Sequence, residues 1–134
     1  MNTQTIERIL RGYPVIVTSS DNMKLYKNGF CISNTRPHWE RGKHWVVFYK
    51  PANGPLEFFD CLNNSPEDYG FEGVESCVKT TRRVQPIGAK NCGRLCTLYV
   101  KLRSAGYGIH RIEKWMYIHR ATLAAQRCYW KRER

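Results

Sequence analysis

His44-Trp45-Val46-Val47-Phe48-Tyr49 is apolar at odd and even positions alike, and Leu56-Glu57-Phe58-Phe59-Asp60 follows across Pro51-Ala52-Asn53-Gly54-Pro55. A strand with one solvated face alternates apolar and polar residues, whereas one covered on both sides does not. The first run therefore reads as a central strand and the second as its antiparallel hairpin partner. The loop sets the register. A two-residue Asn53-Gly54 turn would put Asp60 opposite Val47, on the other face from His44. A five-residue loop, Pro51 to Pro55, puts Asp60 opposite Val46 and diagonal to His44, and keeps Pro55 out of the ladder; a bulge would have the same effect.

Around this hairpin the pattern is legible in both directions. Residues 3 to 11 place Ile6, Ile9 and Leu10 on one helical face, ended by Gly12-Tyr13-Pro14. Val15-Ile16-Val17 and Gly29-Phe30-Cys31-Ile32-Ser33 are short apolar runs between turn residues and read as strands. Residues 65 to 78 read as irregular or weakly helical, and Arg82-Arg83-Val84-Gln85 as another short strand. Cys92, Leu95, Cys96, Tyr99 and Leu102 recur at helical spacing until Gly106. A last helix is expected from Ile109 or His110 into the 120s. Its inner face would carry Ile112, Trp115, Met116, His119 and Leu123, and its outer face Arg111, Lys114, Arg120 and Arg127. Strands bracketed by helices predict an α+β fold, with a central, mostly antiparallel sheet and the Cys92 helix packed against it. No repeat, low-complexity tract or linker interrupts residues 1–134, so a single domain is expected.

Composition narrows the classes further. No run of about 18 apolar residues exists, and the N-terminal stretch lacks an apolar signal core, so neither a membrane span nor secretion is expected. Without a secretion signal, the six cysteines (31, 61, 77, 92, 96 and 128) read as reduced thiols. The chain has no CxxC pair and no histidine pair at ligand spacing, so no metal site is expected. Twenty-two Lys and Arg face eleven acids, a net charge of +11, and such a field attracts nucleic acid or another polyanion.

The segment Gln85-Pro86-Ile87-Gly88-Ala89-Lys90-Asn91-Cys92-Gly93 adds chemistry to the hairpin. A thiol attacks a carbonyl as thiolate, and a helix N-terminus beside an imidazolium lowers its pKa. Cys92 opens the predicted helix, and Gly93 leaves room for a substrate backbone. His44, at the start of the central strand, is the candidate base; His38 lies in a polar loop, and His110 and His119 belong to the last helix. Asp60, at the end of the partner strand, would accept the second imidazole N–H. Gln85 would donate to a developing oxyanion together with the Cys92 N–H. Cys96, one turn inward, reads as a structural thiol.

These residues, His44-Trp45, Phe59-Asp60 and Gln85 seven positions before Cys92-Gly93, resemble the adenovirus protease (adenain) family in order and spacing. Phe30-Cys31-Ile32-Ser33-Asn34-Thr35 also resembles the segment before that family's catalytic strand, so the likeness spans roughly residues 5 to 105. Asp60 stands where the adenovirus enzymes use Glu, Cys61 replaces the proline that follows it, and the chain is shorter after the nucleophile helix.

The resemblance implies a papain-like/adenain-like fold and a cysteine endopeptidase, catalytic through His44, Asp60, Gln85 and Cys92. Trp45 and Gly93 would narrow the substrate cleft. It further implies viral precursor substrates cut at glycine-rich sites, and location in the virion and host cell interior, nucleus or cytoplasm. The implied partners are an activating peptide, tethered at Cys77, and non-specific DNA, the enzyme acting as a monomer with no cofactor needed for the chemistry. The candidate phosphate contacts are Arg82-Arg83, Arg111, Lys114, Arg120, Arg127 and Lys131-Arg132. Two other readings are a protease of the same clan that removes ubiquitin-like modifiers, and a basic nucleic-acid-binding protein without activity.

Overall fold

The computed structural model describes residues 1–41 and 44–125. Helix α1 (Thr3–Ile9) begins on Asn2, whose side-chain oxygen accepts the Thr5 N–H at 2.9 Å, an N-cap that satisfies one orphan donor. Five strands follow: β1 (Val15–Thr18), β2 (Gly29–Asn34), β3 (Trp45–Lys50), β4 (Leu56–Phe59) and β5 (Cys77–Lys79). Helices α2 (Cys92–Ser104) and α3 (Ile109–Ile118) complete the fold, with residues 120–125 helical beyond a turn at His119. The architecture is α+β.

The strands lie in sequence order in one sheet. The β2–β3 and β3–β4 pairs are antiparallel, but β1–β2 and β4–β5 are parallel. The sheet is thus mixed rather than mostly antiparallel. Its outer pairs are parallel because residues 19–28 and 60–76 carry the chain back before the next strand begins, and a parallel pair requires such a return. The hairpin takes the register of the five-residue loop: Val47 pairs Phe59, Phe48 pairs Phe58 and Tyr49 pairs Glu57. Extended by one residue, this sets Asp60 opposite Val46.

Both faces of β3 are covered, as its unbroken apolarity requires. On one face Val47, Phe59, Phe30 and Ile32 pack against Ile6 of α1, Leu95, Tyr99 and Val100 of α2, and Ile112 and Met116 of α3. On the other, Val46, Phe48 and Phe58 pack against Phe71 and Val74 of the β4–β5 connection. Phe48 and Phe58 are fully buried, each contributing roughly 1.5–3 kcal/mol.

Two expected elements differ. Residues 82–85 form no strand; the third short run is β5, which begins at the end of the stretch that reads as irregular. The Val84 and Gln85 N–H groups both donate to Cys61 O, and those of Thr81 and Arg82 donate to the Glu113 carboxylate, so no ladder is needed there. On α3, Trp115 is 41% exposed, whereas Glu113 is buried beside Ile109, Ile112 and Met116. An acid holds that apolar position because it accepts four hydrogen bonds, from Thr81 N–H, Thr81 Oγ1, Arg82 N–H and His110 Nδ1. Among the described residues, no helix is long and apolar enough to cross a membrane.

Candidate active site

His44 directly precedes β3 and Asp60 directly follows β4, so the hairpin register brings them to one face at one end of the sheet. His44 Nε2 lies 2.7 Å from Asp60 Oδ1. Asp60 is fully buried, and both of its oxygens are engaged. Oδ1 also accepts the Leu62 N–H (3.1 Å), while Oδ2 accepts the Asn64 N–H (3.0 Å) and the Tyr69 hydroxyl (2.6 Å). Burial alone would raise its pKa; the hydrogen bonds from His44 and Tyr69 hold the carboxyl below its ordinary value. Burial would likewise lower the His44 pKa, but the Asp60 carboxylate overcomes it and keeps the imidazole protonated well above the usual range.

With Nε2 committed to Asp60, the other ring nitrogen is left for the thiol. Cys92 is the first residue of α2, where the first intrahelical bond runs from Leu95 N–H to Asn91 O at 3.0 Å. The amides of Cys92 and Gly93 precede that ladder and surround the sulfur with positive potential. Burial by itself would push the thiol up. Its hydrogen bond with His44, the imidazole charge, and backbone bonds from Trp45 and Gly93 bring it below the ordinary thiol value. His44 and Cys92 both line an open cleft with Trp45, Gln85, Asn64 and Tyr69. Cys96, one turn along, donates to Trp45 O at 3.4 Å and pins α2 to the start of β3; fully buried, its thiol is pushed well up.

Gln85 is 7% exposed and held at several points. Its Oε1 accepts from Cys61 Sγ at 3.3 Å, its Nε2 donates to Ala89 O at 2.9 Å, and Arg83 Nε donates to its backbone oxygen at 2.7 Å. The turn that carries Ala89 back closes with Ala89 N–H on Pro86 O, through Gly88 at φ +86°, a left-handed conformation that favours glycine. Of the two Nε2 hydrogens, Ala89 O takes one, and Gln85 lines the cleft together with Cys92.

The space beside Gly93 is filled rather than open. A Cβ there would lie 3.0 Å from Met1 Cβ and 3.4 Å from Trp45 Cδ1, and Trp45 Nε1 donates to Met1 O at 3.0 Å. Gly93 thus admits Met1 and the indole to the wall of the site. Cys77 is half-buried on β5, opposite Leu56, and is not part of the cleft lining; burial raises its thiol pKa. The other histidines are held elsewhere: His38 by Asp21, His110 by Glu113, and His119 by Trp115 O. The five described cysteines are free thiols, and Cys128 lies outside the described residues. Arg82, Arg111, Lys114 and Arg120 are exposed, whereas Arg127 and Lys131-Arg132 lie outside the described residues.

His44, Asp60 and Cys61 offer nitrogen, oxygen and sulfur donors within 4.8 Å of one another. Each is already hydrogen-bonded, Asp60 through both oxygens and Cys61 to Gln85, so a cation there would have to displace those bonds.

Tyr69, Asn64 and Cys61 escaped sequence reasoning. Tyr69 ends a 3₁₀ turn (Pro66–Tyr69) whose start is marked by a legible capping box, the Ser65 and Asp68 side chains each bonding the other's backbone N–H. That signal fixes the turn, but not the contact of Tyr69 with Asp60. No protein-family model matches the chain, and no curated protein matches it.

Proposed function

We propose that the chain is a cysteine endopeptidase with an adenain-like variant of the papain-like fold. The observation that supports this most directly is a thiol of lowered pKa at a helix N-terminus, hydrogen-bonded to an imidazole whose Nε2 is fixed by a buried carboxylate. Cys92 thiolate attacks the scissile carbonyl. The oxyanion receives hydrogen bonds from the Cys92 N–H and the second Gln85 Nε2 hydrogen. His44 imidazolium protonates the departing amine, leaving an acyl-enzyme. His44 then takes a proton from water, which attacks the thioester and restores the thiolate. Asp60 keeps the imidazole oriented and stabilises its charge.

In this reading the substrates are viral precursor proteins cut at glycine-rich sites, in the virion and the host cell. An activating peptide joins at Cys77 and DNA binds without sequence preference. The charge of +11 supports the last of these, together with one cluster of cations and aromatics: Arg82 and Arg120 both stack on Tyr117, at 5.1 and 4.2 Å, near the exposed Lys114 of α3. Arg83, also exposed, donates its Nε to Gln85 O.

The test is cleavage of a fluorogenic peptide ending in Gly-Gly, read beside iodoacetamide labelling near neutral pH. Labelling at Cys92 with turnover that vanishes in Cys92→Ala is the expected result. Full activity in Cys92→Ala, or an inert Cys92, overturns the assignment.

A further inference from the structure

Cys61 touches the site through both backbone and side chain. Its carbonyl accepts the Val84 and Gln85 N–H groups at 2.9 and 3.0 Å, and its thiol lies 3.3 Å from Gln85 Oε1. The residue is fully buried, and burial pushes its thiol up to about 11, so at neutral pH it carries the hydrogen. A protonated thiol can donate its hydrogen, and the Gln85 amide oxygen lies within reach to accept it. The other end agrees: Ala89 O only accepts, and Gln85 Nε2 is 2.9 Å from it. The flipped amide would oppose acceptor to acceptor at Ala89, so the Ala89 carbonyl selects the orientation in which Cys61 meets the amide oxygen.

We infer that Cys61 is a positioning residue for the oxyanion donor, its thiol fixing the Gln85 carboxamide so that an Nε2 hydrogen faces the cleft beside Cys92. This rests on the protease reading above and deepens it. Preorganised donors stabilise an oxyanion more than donors that must first reorient, so loss of the thiol acts on the chemical step. The contact links the residue after the acid to the oxyanion loop, so the acid and the oxyanion donor are set by one strand end.

The experiment compares Cys61→Ala, Cys61→Val and Cys61→Ser, alone and with Gln85→Ala, on the same Gly-Gly peptide, with rates normalised to Cys92 titrated by iodoacetamide. Cys61→Ala and Cys61→Val, which remove the donor with and without a cavity, should lower kcat roughly five- to tenfold with little change in KM. Cys61→Ser, which keeps a donor, should recover most of that loss. In the Gln85→Ala background the Cys61 substitutions should cost nothing further. Cys92 alkylation should keep its rate, because displacement at iodoacetamide forms no oxyanion at a carbonyl. Unchanged kcat in Cys61→Ala and Cys61→Val overturns the inference, as does a full additional loss in the Gln85→Ala background. An alkylation rate that falls in step with kcat also overturns it, since Cys61 would then act through His44. A wild-type protein that labels at Cys92 but cleaves no peptide would instead overturn the protease reading, and this inference with it.

Discussion

Strand β4 and the residue that follows it present two buried acids three residues apart, Glu57 and Asp60, on opposite faces of the sheet. Glu57 meets α2: its Oε1 accepts from Tyr99 Oη and Arg103 Nε at 2.9 and 3.0 Å, and its Oε2 from Arg103 Nη2 at 3.0 Å. Asp60 meets the β4–β5 connection and His44. Each acid is neutralised and hydrogen-bonded, as burial demands. The difference lies in the partner. A guanidinium never loses its proton, so the Glu57–Arg103 fork can only tie helix to sheet. An imidazole titrates and has a second nitrogen, so the same kind of ion pair at Asp60 leaves a proton to move at the thiol.

That contrast is exposed most sharply by turnover. Cys92→Ala and His44→Ala should abolish it, and Asp60→Asn should lower kcat by on the order of 10²-fold or more. Glu57→Gln, three residues earlier in β4, should leave turnover per titrated Cys92 within about twofold. If Glu57→Gln costs as much as Asp60→Asn, the two acids are not separable and the comparison fails.

Stability should order the two differently. Glu57→Gln leaves the partly buried Arg103 without its counter-charge. Because Arg103 retains some solvent access, a loss of about 1–3 kcal/mol is expected in chemical denaturation. Tyr69→Phe removes one of four Asp60 partners and should reduce kcat by roughly three- to tenfold, with a small change in denaturation midpoint.

A third measurement is the pH dependence of Cys92 alkylation. A depressed thiol pKa keeps the anion present as pH falls below the ordinary value of 9.0, so the labelling rate should rise with a midpoint under that value. Since Asp60 holds the His44 charge, Asp60→Asn should move the midpoint upward. Turnover should fall on the acid side as the thiolate is protonated, and on the alkaline side only when His44, its pKa raised, releases its proton. Cys96, on the same helix with its thiol pushed up, should resist labelling in the folded protein.

The smallest effect concerns the surface. Replacing Arg82 and Arg120 by Gln should weaken duplex DNA binding and reduce the slope of log K against log salt by about 0.9 for each phosphate no longer neutralised, leaving peptide turnover unaltered. Affinity that stays flat across salt would make the charge a solubility feature only.

The hairpin shows why part of the site was readable. Strand periodicity is strictly two, so once Pro51–Pro55 is taken as the loop, arithmetic alone puts His44 and Asp60 on one face. Helical spacing likewise sets Cys92 at the head of α2. The placement of Met1 against Gly93 was not readable, because nothing local to either residue encodes the approach of two segments so distant in sequence.

The sequence by itself determined the α+β class, the central strand covered on both faces and the start of the Cys92 helix, and it reduced the hairpin register to a choice of loop, all consequences of short-range periodicity and turn chemistry. Tertiary structure alone decided the parallel outer strands, the burial of Glu113 in place of Trp115, and the partners that complete the site: Tyr69 on Asp60 and Cys61 on Gln85. Those outcomes depend on which buried polar groups find one another across the packed core. Residues 9 to 32 positions apart must meet to satisfy them, and no local pattern specifies that pairing.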